Sequence, residues 1–312
     1  MFEEIRAALS EIPRRLPPKL FYDERGAHLF EKITQLDEYY LTRTELGILE
    51  EALPEVRTLV GPGARVVEFG SGSGKKTWKL LDALERPATM VPIDIAEGQL
   101  HAFADRIRAE HPEMEVVPLA ADFTQPYTLP PSIHEVGTTL VFFPGSTIGN
   151  FEPDEAIRFL SHMARAGGDR LLLGVDMRKS PEILEPAYND PEGVTAEFNR
   201  NALRNLNRTL GANFDPEGFR HHAPWNPEAS RIEMHLIARR PMTVTIPGPA
   251  PFHLSLKRDE IIVTEHSYKY TRSRILEMCR AAGWEGQSLW TDVRGWFEVH
   301  WLVRSPVRSE TL

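Results

Sequence analysis

Between about residues 64 and 177 short apolar runs alternate with amphipathic stretches. "ARVVEF" (64–69), "TMVPID" (89–94), "EVVPLAADF" (115–123), "TTLVFFPG" (138–145) and "DRLLLGVDM" (169–177) predict five buried strands. "KKTWKLLDALE", "EGQLHAFADRIRAEH" and "EPDEAIRFLSHMARAGG" predict helices between them, the last with an acidic first turn and glycines at its end. Strands that are apolar throughout and separated by helices imply a parallel sheet covered on both faces. Ligands of such sheets bind beyond the carboxyl ends of the strands.

After Met177 the pattern changes. Residues 178–219 are polar and helical in period, with glycine and proline punctuation. "SRIEMHLIARR", "MTVTI", "FHLSL" and "VTEHSYKY" then alternate like antiparallel strands, with "IPGPAPF" (246–252) a proline-broken loop. The α/β pattern resumes with the helix "TRSRILEMCRAAGW" and ends on two strands, "SLWTDV" and "WFEVHWLVRS", joined at Arg294-Gly295. The segment 178–269 therefore reads as an insertion that forms a second, α+β domain with residues 1–44, leaving 45–177 and 270–312 as the parallel-sheet domain.

At 312 residues and 41% hydrophobic the chain can bury a sizeable core, and its net charge of −9 argues against a nucleic-acid scaffold. One cysteine, Cys279, excludes a disulfide framework and a cysteine zinc site. His221-His222 lack a partner carboxylate in sequence and read as surface residues, so no metal is expected. "MFEEIRAALSEIPRRL" lacks the apolar core of a secretory signal, and no apolar run is long enough to span a bilayer. The expectation is a soluble, cytoplasmic, monomeric protein acting on a small molecule, without membrane or nucleic-acid partners.

The glycine-rich stretch "VVEFGSGSGKKT" (66–77) carries the first chemistry. A P-loop register would place its first glycine at Phe69 and its Ser/Thr at Lys76. The dinucleotide register would need a third glycine where Lys75 stands. What remains is Glu68-x-Gly70-x-Gly72-x-Gly74, with Asp94 ending the next strand and Asp122 the one after. Glycine permits close backbone approach, and an acid at the position of Asp94 can accept both ribose hydroxyls. Acids along one rim suit a cationic ligand. This stretch resembles the first motif of the class I S-adenosylmethionine-dependent methyltransferases; NAD, or a glycine turn without a ligand, stays open on these residues.

Other polar clusters have both a chemical and a plain reading. Tyr22, Tyr39 and Tyr40 fall near Asp23 and Arg43, and amphipathic packing of a helix over 27–36 would account for them. Asn150 follows the fourth strand and offers a donor and an acceptor to a substrate, or else caps the next helix. Tyr188, Phe198 and Asn199 lie in the helical insertion. Glu265 and Ser267 share one strand face, where a carboxylate beside a hydroxyl could grip an imidazole; a solvent-facing strand is the alternative.

Together "FYDERGAHLFEKIT", "LDEYYLTRTE", "VEFGSGSGKKT", "FFPGSTIGNF", "AYNDPEGVTAEFNRN" and "TEHSYKY" resemble the histidine-specific Nα-methyltransferases of ergothioneine biosynthesis, which form hercynine. The resemblance spans nearly the whole chain. It implies the class I, Rossmann-like methyltransferase fold, for which a terminal hairpin is typical, with a second substrate-binding domain. It implies S-adenosylmethionine contacts at Tyr22, Gly70, Lys76, Asp94, Asp122 and Phe123. It places the substrate carboxylate on Asn150 and Tyr188, and the imidazole on Tyr39, Glu265 and Ser267. Asp37 stands where the family pattern has proline, outside these positions. Three transfers by in-line displacement follow, with water or Tyr39 relaying the proton. Enzymes of this architecture also methylate other amino acids, including a prenylated tryptophan. A methyltransferase for another amine, an NAD-dependent oxidoreductase and a non-catalytic S-adenosylmethionine-binding protein are the rival readings.

Overall fold

The computed structural model describes residues 1–70, 72, 74–95, 97–121 and 127–306. Its chain divides into two compact units, Leu41–Arg178 with Tyr270–Leu312, and Met1–Tyr40 with Lys179–Lys269.

The first of these is built on an eight-stranded sheet in the order Trp284–Thr291, Phe297–Arg304, Arg170–Asp176, Thr139–Phe143, Arg65–Phe69, Thr89–Asp94, with Glu115–Val116 and Leu119–Ala120 both pairing along the outer side of Thr89–Asp94. Neighbours from Arg170–Asp176 to that outer edge are parallel. Phe297–Arg304 runs antiparallel to both of its neighbours, so the terminal hairpin enters the sheet in reverse. From Arg65–Phe69 the chain first builds outward through Thr89–Asp94, then returns to place Thr139–Phe143 on the other side. The order therefore switches beside Arg65–Phe69, where open α/β sheets bind their ligands. The expected third strand is broken: Pro118 separates its two short pieces, because proline has no N–H for the ladder. The core packs Val66, Met90, Leu140, Leu172 and Trp301 of the sheet against Ile48, Leu49, Ala52 and Val56 of helix Tyr40–Val60 and Leu80 and Leu81 of helix Lys75–Ala83. Apolar side chains three to four residues apart put one stripe of each helix on the sheet.

The other unit pairs a sheet, Arg14–Arg15, Ile261–Tyr268, Arg231–Ala238 and Phe219–His222, with helix Val194–Leu210. Trp225–Asn226 also pairs with Arg231–Ala238, and Met242–Ile246 with Phe252–Leu256 forms a separate hairpin. The two-residue strand Arg14–Arg15 has no alternating pattern to announce it; register with Ile262 and Val263 makes it a strand. The polar composition of Val194–Leu210 is explained by three buried asparagines. Asn201 donates to the Phe21 carbonyl (3.2 Å) and to Asp23 (2.7 Å), and Asn205 donates to the Leu20 carbonyl (2.9 Å). The helix thus ties down the loop before Glu24–Ile33, whose N-terminus Asp23 caps by accepting from the Gly26 N–H (2.9 Å). That cap moves the helix three residues earlier than its apolar spacing suggested.

Candidate functional site

Two residue clusters hold the candidate chemistry, one in each unit. In the parallel-sheet unit, Gly70, Gly72 and Gly74 all have positive φ (65°, 53° and 76°), so the glycine spacing is a conformational requirement. Among the described residues beyond its chain neighbours, a Cβ on Gly70 or Gly72 would meet no atom within 4 Å; one on Gly74 would come within 2.4 Å of the Phe103 ring. The third position lets the turn close against the second helix.

Glu68 does not face outward from this rim. Its carboxylate is 1% exposed and lies 2.8 and 2.9 Å from the Thr77 hydroxyl in the helix that follows the turn. Burial pushes its carboxyl up to about 8, opposed by the Thr77 hydrogen bond and the Lys76 charge. Glu68 therefore anchors the turn from beneath as a neutral acid at pH 7. Lys76 is ion-paired with Glu45, and both Glu45 oxygens accept from the Gly145 N–H at 2.9 Å. A lysine neutralised in this way presents no free charge to a phosphate. Asp94, half-buried, ends its strand. These features fit a nucleoside carried on a sulfonium, and they place Glu45, which the sequence pattern gave no reason to select, at the centre of the switch point. Asp122 and Phe123 lie outside the described residues. Asn150 ends a short 3₁₀ turn, Thr147–Asn150, and the capping of helix Pro153–Arg165 falls to Glu152, whose N–H donates to Glu155 (3.2 Å).

In the other unit the strand Ile261–Tyr268 is buried along almost its whole length, so Glu265 (8% exposed) and Ser267 (5%) do not face solvent. The Ser267 hydroxyl lies 2.9 Å from that of Tyr188, and Lys269 (2% exposed) donates to the Tyr188 hydroxyl at 2.7 Å and to that of Ser267 at 2.9 Å. The Lys269 ammonium also sits 4.7 Å from the centre of the Tyr188 ring. Burial pushes the Glu265 carboxyl up to about 7, with Lys269 pulling it down. Tyr39 meets Tyr188 edge to face, with ring centres 6.2 Å apart. Four of the candidate residues, Tyr39, Tyr188, Glu265 and Ser267, are thus gathered in one unit with Lys269. Lys269 was legible in principle: it continues the two-residue alternation Glu265, Ser267, Lys269.

Tyr22 joins a neighbouring aromatic group, with ring centres 5.6 Å from Phe198 and 5.9 Å from Phe30. Of the two histidines expected at the surface, His222 is exposed and His221 is half-buried. Its Nε2 lies 2.7 Å from the Tyr188 carbonyl and its Nδ1 2.8 Å from the Asn199 amide. Burial lowers its pKa to about 4. It is a neutral imidazole that fixes the turn bearing Tyr188, donating from Nε2 and accepting at Nδ1.

A sheet switching at a positive-φ glycine turn, with a reversed terminal hairpin, defines a class I S-adenosylmethionine-dependent methyltransferase fold. The sequence profile of the family described as histidine-specific, SAM-dependent methyltransferase matches residues 1–304, and the chain belongs to that family. It is 40% identical over 306 residues to the histidine N-alpha-methyltransferase of Mycolicibacterium smegmatis, covering 96% of this chain and 94% of that one. The corresponding enzyme of Mycobacterium tuberculosis is 39% identical over 299 residues, covering 94% and 92%. Among solved structures, a magnesium protoporphyrin IX methyltransferase from Synechocystis aligns over 91% of this chain and 97% of its own at 13% identity, with a TM-score of 0.48. No helix among the described residues is long and apolar enough to cross a membrane.

Proposed function

We propose that this chain methylates the α-nitrogen of L-histidine three times in succession, giving hercynine in ergothioneine biosynthesis. It is an S-adenosylmethionine-dependent histidine methyltransferase. The observation that carries the substrate assignment is the buried strand face Glu265–Ser267–Lys269 joined to Tyr188. A buried carboxylate accepts from an imidazole N–H and would be left unmatched by an indole or phenyl ring, at a cost of several kcal/mol.

In this reading Glu265, Ser267 and Tyr39 orient the ring, and Tyr188 holds the carboxylate. Asn150 is assigned to the same carboxylate on the family resemblance. Tyr22, Gly70, Lys76 and Asp94 are assigned to the cofactor on the same footing, Lys76 through its backbone because its side chain is engaged by Glu45. Asp122 and Phe123 complete that set by resemblance. S-adenosylmethionine supplies an electrophilic methyl on a sulfonium, whose leaving group is a neutral thioether. The protein therefore needs no oxyanion hole, and alignment is its main contribution. Holding the substrate by ring and carboxylate leaves the amine able to turn between rounds, and water or Tyr39 relays each released proton to solvent. The enzyme acts as a cytoplasmic monomer on this small molecule, without metal, nucleic acid or membrane.

A time course by mass spectrometry tests this. Histidine should gain one, two and then three methyl groups, with three cofactors consumed per product and no effect of a chelator. Accumulation of the monomethyl product alone, or no reaction with histidine, would contradict it.

A further inference from the structure

We propose that Lys269 is a positioning residue for the substrate: it fixes the direction of the Tyr188 and Ser267 hydroxyls and compensates the charge of the Glu265 carboxylate. The inference rests on the histidine reading above. An ammonium has three hydrogens to give and no lone pair. In its contacts with Lys269, both hydroxyl oxygens must accept (2.7 and 2.9 Å), and their hydrogens are turned away from the ammonium. One of these hydrogens is taken up between the two hydroxyls, which lie 2.9 Å apart, and the other is thereby set to donate, as an acceptor oxygen of a carboxylate or the bare nitrogen of an imidazole requires. The lysine is itself held firmly. Its N–H donates to the Ser230 carbonyl (2.8 Å), and the Ser230 hydroxyl donates to its carbonyl (2.8 Å).

The charges around this face divide cleanly. Glu265, Ser267 and Lys269 share one side of the strand, with Met234 and Ile232 opposite Glu265 and Ser267 on the adjacent strand. Tyr188 packs there from its 3₁₀ turn, with Tyr39 behind it. The other side carries His266 and Tyr268, opposite Glu233 and Arg231. Those groups engage one another: Arg231 pairs with Glu233 (2.7 Å) and donates to the Tyr268 hydroxyl (2.7 Å), while His235 lies 3.2 Å from Glu233. Among the described residues, Lys269 is a cation that acts on Glu265 and favours its ionised form.

The test compares wild type with Lys269→Met and Lys269→Arg, reading histidine KM, kcat, the pH profile of kcat/KM and cofactor affinity. Lys269→Met should raise histidine KM about tenfold to a hundredfold, with kcat changed less than about threefold. The acid limb of kcat/KM should move to higher pH by about one unit, because Glu265 loses the charge that favours its ionised form. The substrate's own titrations are common to every variant, so the displacement isolates the protein group. Lys269→Arg should restore the acid limb, and cofactor affinity should not change. Wild-type KM and an unmoved acid limb in Lys269→Met would overturn the proposal, as would a joint loss of kcat and cofactor affinity with the limb unmoved. If Lys269→Met does not fold, recovery of folding in Lys269→Met with Glu265→Gln supports the charge compensation. Failure of that double variant to fold makes the lysine structural and overturns it. Wild-type enzyme inert toward histidine would instead refute the functional reading.

Discussion

Glu68 and Glu265 are both buried carboxyls raised by burial, to about 8 and about 7, and they do opposite things. Glu68 sits beneath the glycine turn, and the Thr77 hydroxyl of the next helix spans both its oxygens. Its chemistry closes within the fold. Glu265 belongs to a convergent set: Ser267 and Lys269 share its side of the strand, and Tyr188 brings a second hydroxyl and an aromatic ring from its 3₁₀ turn. The first arrangement shapes a backbone turn that any S-adenosylmethionine fold could use. The second, in the function proposed above, discriminates between rings. The glycine turn and the Glu265 face thus lie in different units of the chain, and fold membership alone would not have separated histidine from other amines.

Four perturbations break or sharpen this contrast. The largest effect is expected for Glu265→Ala, which should lower kcat/KM for histidine by about a hundredfold to a thousandfold while leaving cofactor affinity intact, measured by steady-state kinetics and calorimetry. Gly74→Ala should act on the other unit. Its φ of 76° and the 2.4 Å approach to Phe103 predict a loss of about 1–3 kcal/mol in folding stability and weaker cofactor binding, read by thermal melts with and without cofactor. Tyr188→Phe removes one hydroxyl from the substrate face and should raise histidine KM about tenfold, with little change in kcat.

The smallest effect at pH 7 is expected for Glu68→Gln, since the native group is already mostly neutral there. Its signature is a slope. A carboxyl whose folded pKa is about 8 contributes stability that is full below the unfolded value near 4.5 and is lost as pH rises through about 8. The melting temperature of the glutamine variant should therefore gain on wild type as pH increases across that window. Parallel curves would show that Glu68 is not held neutral.

Much of the parallel-sheet unit was readable because runs such as "ARVVEF" and "DRLLLGVDM" are apolar without alternation, and the glycine register excluded phosphate-binding turns. The break at Pro118 was not anticipated, since "EVVPLAADF" reads as one strand until the missing proline N–H is weighed. Glu45 was not: it joins Lys76 and Gly145 only after the fold brings them together across about 30 and 100 positions of chain. In the other unit, alternation put Glu265 and Ser267 on one face, but did not show that both faces of the strand are buried. Tyr188, some 80 residues earlier, joins them by tertiary packing. The two hydrogen bonds that half-bury His221 were not legible for the same reason, since Asn199 and the Tyr188 carbonyl are distant in sequence.

The most direct test of the central claim, that the Glu265 face selects an imidazole, is a competition. The enzyme is incubated with S-adenosylmethionine and an equimolar mixture of the standard amino acids, and every methylated product is identified by mass spectrometry. Histidine alone gaining up to three methyl groups is the predicted result. Preferential methylation of tryptophan, phenylalanine or any other amino acid would contradict it.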